Sequence, residues 1–289
     1  MVSLITVFTP SYNRKDELGK LYQSLLKQKD TEFEWLVVDD GSSDETDKYL
    51  DKLIKDRKIK IRYIYKENGG KQSAYNVGLD NALGEIFLCI DSDDILKTNI
   101  LKEIEDDFLK IKDKNDIGGI AYLQGYITDK KKIIGSVFPS DKLEVNYFDL
   151  YHNKKVTGDK LIVLKTTVAR EYHFPILAGE KFVPEALVFN RMAKKYNFLC
   201  LNKVGAYKEY LSSGYSNNYF NLVKKNPLGN RLYFKELYSL EKKVYNVYGY
   251  ILFSIYGKVK FIDMYKEHPA KGQIILLYLP VLVISKIRK

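Results

Sequence analysis

Hydrophobic positions along the first 115 residues keep two alternating rhythms. Leu4-Ile5-Thr6-Val7-Phe8-Thr9 is a compact apolar run closed by Pro10, the signature of a buried strand. From Arg14 to Gln28, Leu18, Leu21, Tyr22, Leu25 and Leu26 recur at helical spacing. The pair then repeats. Phe33–Val38 predicts a second strand, and after Asp39-Asp40-Gly41-Ser42-Ser43 either Ser43 or Asp44 can cap a helix to about Arg57. Ile59–Tyr65 predicts a third strand, the loop Lys66-Glu67-Asn68-Gly69-Gly70 follows, and a helix runs to about Leu83 with Gly84 placed for a C-cap. Glu85–Ile90 predicts a fourth strand, followed by Asp91-Ser92-Asp93-Asp94 and a helix over about 97–112. Strand and helix alternating four times predicts an α/β fold with a mostly parallel central sheet flanked by helices.

Beyond Gly118 the pattern changes. Ile120–Tyr126 and Ile133–Phe138 are expected as strands around the basic turn Asp129-Lys130-Lys131-Lys132, and Val156–Lys165 is mixed. Phe182–Tyr196 is expected as a helix, with Leu187, Val188, Arg191 and Met192 in register. Tyr210–Asn230 is Ser/Asn/Gly-rich and predicts a loop. From Leu232 the chain is expected to be helical, aromatic and basic. These changes divide the chain into a domain at 1–210, with halves at about 1–115 and 116–210, and an extension at 211–289.

Charge sharpens that division. Residues 194–289 hold 17 Lys and Arg against 5 Asp and Glu, so a net +10 chain is about neutral in front and strongly basic behind. A basic, Tyr-rich segment suits an anionic membrane surface or nucleic acid. Within it, Ile274–Ile284 is an eleven-residue apolar run between Lys271 and Lys286, Arg288 and Lys289. It is too short for a spanning helix of ~20 residues. It fits either a helix lying in the bilayer interface or a core helix packed on the domain. Cys89 and Cys200 sit inside apolar runs and read as buried hydrophobes, consistent with a reducing cytoplasmic setting. Met1-Val2-Ser3 leads straight into a strand pattern, unlike a signal peptide. His152, His173 and His268 lack metal-ligand spacing.

Candidate chemistry lies in the turns. Ligands of parallel sheets bind beyond the carboxyl ends of the strands, where Thr9–Asn13, Asp39–Ser42 and Asp91–Asp94 all fall. Three carboxylates within four positions repel one another unless a cation compensates them. Their hard oxygens suit Mg²⁺ or Mn²⁺ on a phosphorylated substrate. The bland alternative is a polar turn in which Asp94 caps the next helix. No G-x-G-x-x-G follows the first strand, which disfavours a dinucleotide-binding domain. A phosphatase-type Asp-x-Asp would follow the first strand, not the fourth, and would leave the other two turns unexplained. A nucleic-acid binder gains nothing from three acids at the sheet edge.

Thr9-Pro-Ser-Tyr-Asn-Arg14, Val37-Val-Asp-Asp-Gly-Ser-Ser43, Asn68-Gly-Gly70 with Asn76 and Gly78, and Asp91-Ser-Asp-Asp94 occur in an order and spacing that resemble family 2 glycosyltransferases of the GT-A fold, over about residues 1–200. The resemblance implies a metal-dependent inverting transferase moving a sugar from a nucleotide-sugar, typically a UDP-sugar, to a hydroxyl of a growing glycan. Its nucleotide-binding half is then 1–115 and its acceptor half 116–210. It places Thr9, Pro10 and Tyr12 at the nucleotide base, with Asn13 or Arg14 in reach of a phosphate. Asp40 accepts a hydrogen bond from the base, and Asp39 holds the turn. Asn68, Gly70 and Lys71 approach the diphosphate. Asp91, beside Ser92, lies near ribose and metal, and Asp93 lies on the metal, Mn²⁺ or Mg²⁺. The general base falls on Glu185, in Pro184-Glu185 where the family often carries Glu-Asp, or on Glu180. Asp159 either meets sugar or acceptor or sits in a surface turn. A lipid-linked oligosaccharide acceptor at the cytoplasmic membrane face fits the basic extension. A non-catalytic nucleotide-sugar-binding module is the alternative.

Overall fold

A computed structural model describes residues 4–208 and 219–287. Two compact units emerge: Met1–His173 with Arg191–Tyr210, and Phe174–Asn190 with Leu211–Lys289. In the first unit the predicted alternation is realised as β1 (Ile5–Ser11), α1 (Lys15–Leu25), β2 (Phe33–Asp39), α2 (Thr46–Asp56), β3 (Lys60–Tyr65), α3 (Lys71–Asn81) and β4 (Ile86–Cys89). It continues through β5 (Ile95–Leu96), α4 (Ile100–Leu109), β6 (Ile117–Tyr126), β7 (Leu143–Val145), β8 (Lys160–Lys165) and α5 (Thr166–Ala169). After α6 (Glu185–Met192), β9 (Asn197–Lys208) closes it.

One sheet holds these strands in the order β3-β2-β1-β4-β8-β6-β9-β5, with β7 on β9. β3, β2, β1 and β4 pair in parallel, whereas β8 runs antiparallel to both β4 and β6, so the sheet is mixed. Side chains alternate across it as the strand period of two requires. Ile5, Val7, Trp35, Val37, Ile86 and Leu88 meet α1, α2 and α4 in one core. Phe8 and Phe87 point the other way, stack at 5.4 Å, and receive the edge of Tyr75 from α3.

The chain winds from β1 outward to β3, then returns to place β4 on the other side of β1. The strand order therefore reverses between β1 and β4, and a crevice opens there at their carboxyl ends. β9 runs parallel to β6, and β6 parallel to β4 through the intervening β8. The end of β9 and the start of β8 consequently reach the same edge as the acidic turn. β5 secures it, pairing Ile95 with Tyr207 and Leu96 with Ala206.

Several expectations change. Asp94 caps no helix, because β5 intervenes and α4 starts at Ile100 behind Asn99. Gly84 is no C-cap: a Cβ there would lie 2.4 Å from the Leu4 carbonyl, so it is small because β1 passes against it. Ile133–Phe138 forms no named strand, only a bridge from Ile133 to Gly125. The 210–230 segment is helical where described, in α7 (Tyr219–Lys225) and the start of α8 (Pro227–Leu240); residues 210–218 lie outside the described residues.

The second unit holds α7, α8, α9 (Val244–Tyr256), α10 (Phe261–Glu267) and α11 (Lys271–Ile287). Its core joins Val247, Tyr250 and Ile251 of α9 to Met264, Ile274 and Val281. Residues 174–190, which the sequence assigns to the first domain, pack here. Phe182 clusters with Val223 and Phe253, and the Lys181 N–H donates to the Asn226 side chain at 2.7 Å.

Candidate active site

The turns after β1 and β2 are laced together. Asn13, with φ 51°, accepts from the Ser43 N–H at 2.8 Å, and its own N–H donates to the Ser42 hydroxyl at 2.8 Å. Asp39 accepts from the Ser42 N–H and from the Tyr63 hydroxyl, the turn-holding role expected of it. Thr9 is fully buried and its hydroxyl accepts from the Trp35 indole at 3.0 Å. Thr9 thus anchors the core beneath the turn, and its side chain does not line a base pocket. Pro10 is buried inside β1, while Tyr12 is half-exposed and presents its ring at the turn. Arg14 precedes α1 and pairs with Glu17 at 3.0 Å.

Asp40 is occupied differently from expectation. Its buried carboxylate takes the Lys66 ammonium at 2.6 Å and the Gly69 N–H at 2.9 Å on one oxygen. The other oxygen takes the Gly70 N–H at 2.7 Å and the Asn68 amide at 3.2 Å. A carboxylate has about four acceptor positions, so this one is full. Asp40 therefore shapes the 66–70 loop. Two glycines let the loop close on it. Gly41 (φ +86°) lies so near Asn68 that a Cβ would sit 2.9 Å from its backbone nitrogen, and Gly70 (φ +92°) turns the chain into α3. That leaves the amino end of α3, with Lys71 on its first turn, facing the crevice edge; backbone N–H groups and a cation together favour an anion.

The acidic turn is the electrostatic centre. Lys71 Nζ lies 2.6 Å from Asp91, and Lys208 Nζ lies 3.8 Å from Asp91, 3.9 Å from Asp94 and 3.1 Å from Asp159. Burial pushes the Asp91 carboxyl up, but Lys71 and Lys208 outweigh it and hold the group below the usual carboxylate range. Asp93 is displaced the other way, by burial and by the Asp91 charge. Asp94 is raised furthest: it is buried, Lys208 offsets only part of that, and one carboxylate oxygen has no partner. Burial works against the Lys208 cation, yet the three aspartates keep it firmly charged. Ser92 is buried in the turn. Lys208 was not anticipated from sequence. The apolar run Phe198-Leu199-Cys200-Leu201 was the available signal for β9, and only its pairing with β6 and β5 brings its last residue to the site.

Among the described residues no group of three or more His, Cys, Asp or Glu side chains forms a ready-made metal cage. The donor set nonetheless suits Mg²⁺ or Mn²⁺, which are bound by one or two carboxylates with the remainder supplied by water and phosphate. Asp93, raised by burial and then by its like-charged neighbour Asp91, is the kind of group a divalent cation relieves.

The two candidate bases fare differently. Both oxygens of Glu180 accept backbone N–H groups at the start of α8, Leu228 at 2.5 Å and Gly229 at 2.7 Å, and burial raises its carboxyl despite them. Glu180 is a helix cap. Glu185 opens α6 and is exposed.

A sheet that reverses between β1 and β4, with an acidic turn and two lysines at the crevice, is the architecture of the GT-A class of nucleotide-sugar-binding folds. Staphylococcus aureus TarS, solved with UDP-GlcNAc, superposes with a TM-score of 0.61 at 20% identity over 97% of this chain and 90% of that one. The Pyrobaculum calidifontis mannosyltransferase PcManGT, solved with GDP-Man and Mn²⁺, gives 0.58 at 15% identity over 99% and 84%. Residues 6–171 match glycosyl transferase family 2, and the chain belongs to that family. The teichoic acid poly(glycerol phosphate) polymerase of Staphylococcus epidermidis is 27% identical over 58% of this chain and 23% of its own. Glycosyltransferase GlyG of Streptococcus pneumoniae is 29% identical over 51% and 44%. The matches span less than half the length of these curated relatives.

Proposed function

We propose that this chain is an inverting, metal-dependent glycosyltransferase that moves a sugar from a UDP-sugar to a hydroxyl of a growing bacterial surface glycan. The observation that carries the reading is the lysine–carboxylate cluster at the β1/β4 crevice, where an anionic diphosphate and a divalent cation would both find partners. The TarS complex with UDP-GlcNAc supports the donor class, and the teichoic acid polymerase among the relatives supports the kind of product.

Tyr12 stacks on the base. Asp40 holds the 66–70 loop so that Gly70 and Lys71 face the diphosphate. Asp93 and Asp91 would hold the cation, which when bound would neutralise charge on the departing diphosphate. Lys208 and Lys71 would supply positive charge to the same phosphates. Glu185 takes the proton of the acceptor hydroxyl. The freed oxygen bonds to the anomeric carbon opposite the leaving group, the bond to the diphosphate breaks with its electrons going to the phosphate oxygen, and the configuration inverts. Glu180, committed to α8, is not the base. The acceptor is lipid-linked and met at the cytoplasmic membrane face.

Thermal-shift screening of nucleotide-sugars with Mn²⁺ tests the donor, because a ligand bound only by the folded state raises its melting temperature. Asp93→Ala is expected to abolish transfer and the Mn²⁺-dependent part of the UDP shift. Transfer by Asp93→Ala at the wild-type rate would remove the metal role.

A further inference from the structure

We propose that the outward face of α11, bordered by the start of α10, docks on an anionic lipid bilayer; this places the membrane-borne acceptor reading on particular residues and rests on it. At 100° per residue, Ile274, Val281 and Ser285 share the inner face of α11. All three are buried, and Ile274 and Val281 pack with Val247, Tyr250 and Ile251 of α9. The opposite face carries Leu276, Leu279 and Val283, exposed at 75%, 67% and 58%, with Ile275 beside them at 56%. Phe261 meets Tyr278 of α11 at a ring distance of 4.8 Å, so α10 adds Phe261 and the half-exposed Ile262 to the border. The packed core helix expected from the sequence is realised on the inner face, and the outer face carries the apolar stripe that an interfacial helix would need. Folding satisfies the inner face. The outer stripe gains nothing in water, and such a contiguous apolar surface marks an interaction site.

Charge selects the occupant. α11 contains no acidic residue, and Lys271 and Lys286 bracket the stripe. The second unit holds 14 Lys and Arg against 6 Asp and Glu, a net +8. Near the stripe Glu267 is already committed to Arg231 at 2.7 Å and Lys235 at 3.5 Å, and the exposed Asp263 of α10 is outnumbered by Lys260 and Lys266 three positions to either side. A two-fold contact with a second copy would set these lysines against their own kind. A bilayer with anionic headgroups meets them with opposite charge while its acyl boundary takes the aliphatic side chains. The inner face of α11 is packed on α9, which leaves only the outer face for lipid, so the helix lies in the surface plane; no helix among the described residues is long and apolar enough to cross a membrane.

The test is co-sedimentation of the full chain with phosphatidylcholine vesicles, with and without phosphatidylglycerol. The wild type is expected to bind the phosphatidylglycerol vesicles and to release as salt rises. Leu276→Glu with Leu279→Glu removes two anchors and adds two like charges, so partitioning should fall at least ~10-fold with the melting temperature unchanged. Lys271→Glu with Lys286→Glu should weaken only the phosphatidylglycerol-dependent part. Failure of the wild type to bind, or undiminished binding by the Leu276/Leu279 variant, overturns the proposal. So does a dimer in light scattering that this variant dissociates, which would give the face to a second copy. UDP binding is measured in parallel. A wild type that binds UDP but not vesicles sinks this inference alone, whereas one that binds vesicles but no UDP sinks the transferase reading.

Discussion

Asp40→Ala separates the role sequence resemblance gives this residue from the role the fold gives it. The substitution deletes an acceptor of four hydrogen bonds, one of them from the Lys66 ammonium at 2.6 Å. Breaking a buried ion pair by removing one partner costs about 3–5 kcal/mol. Lys66 keeps a fifth of its side chain exposed and recovers some water, which places the cost near the lower end. The Gly69 and Gly70 N–H groups lose their partner as well, and each such loss costs about 1–3 kcal/mol when no water replaces it. With every term at the low end of its range the total is about 5 kcal/mol, read as a shift of the urea midpoint at constant slope. The 66–70 loop then loosens, and UDP and CDP should lose affinity alike, because the proposed diphosphate contacts at Gly70 and Lys71 would be shared by both. Affinities are measured by calorimetry with and without Mn²⁺. If stability stays within about 0.5 kcal/mol of wild type, the range of ordinary surface substitutions, while discrimination of UDP from CDP collapses, Asp40 reads the base and the loop argument is wrong.

Glu185→Gln should lower kcat by ~100-fold or more with UDP affinity nearly intact, whereas Glu180→Gln should leave kcat and cost roughly 1 kcal/mol as a weakened helix cap; the reverse pattern would exchange their roles. Gly78→Ala builds a Cβ 2.2 Å from the Phe8 ring, which is itself stacked on Phe87. It should cost about 2 kcal/mol in denaturation, although alanine is the better helix former; an unchanged midpoint would refute the close-packing argument. Burial, then the charges of Lys235 and Arg231, push His268 down from 6.5 to about 4. The folded value lies below the unfolded one, so the neutral ring's stabilisation is complete above about 6.5 and drains as pH falls toward 4, by up to about 3 kcal/mol. His268→Gln should flatten that slope in urea unfolding followed against pH; an unchanged slope would assign it to other groups.

The sequence by itself determined what depends on neighbours along the chain. Apolar rhythm placed β1 to β4 and α1 to α3 within a few residues, because strand and helix periods are local properties. The polar turns at their carboxyl ends, the acidic turn Asp91–Asp94 among them, followed from the same local pattern, whereas the proposed roles of Asp91, Asp93 and Lys71 came from the family resemblance. The structure alone decided what depends on residues far apart in sequence. Lys208 reaches the aspartates only through the pairing of β9 with β6 and β5. Asp40 and Glu180 look like free acids until Gly69 and Gly70, and then Leu228 and Gly229, fill their oxygens. Residues 174–190 join the second unit because their partners lie about fifty positions later. Hydrogen-bond capacity is finite, and which donor takes it is settled by the packing of distant segments, which no local pattern encodes.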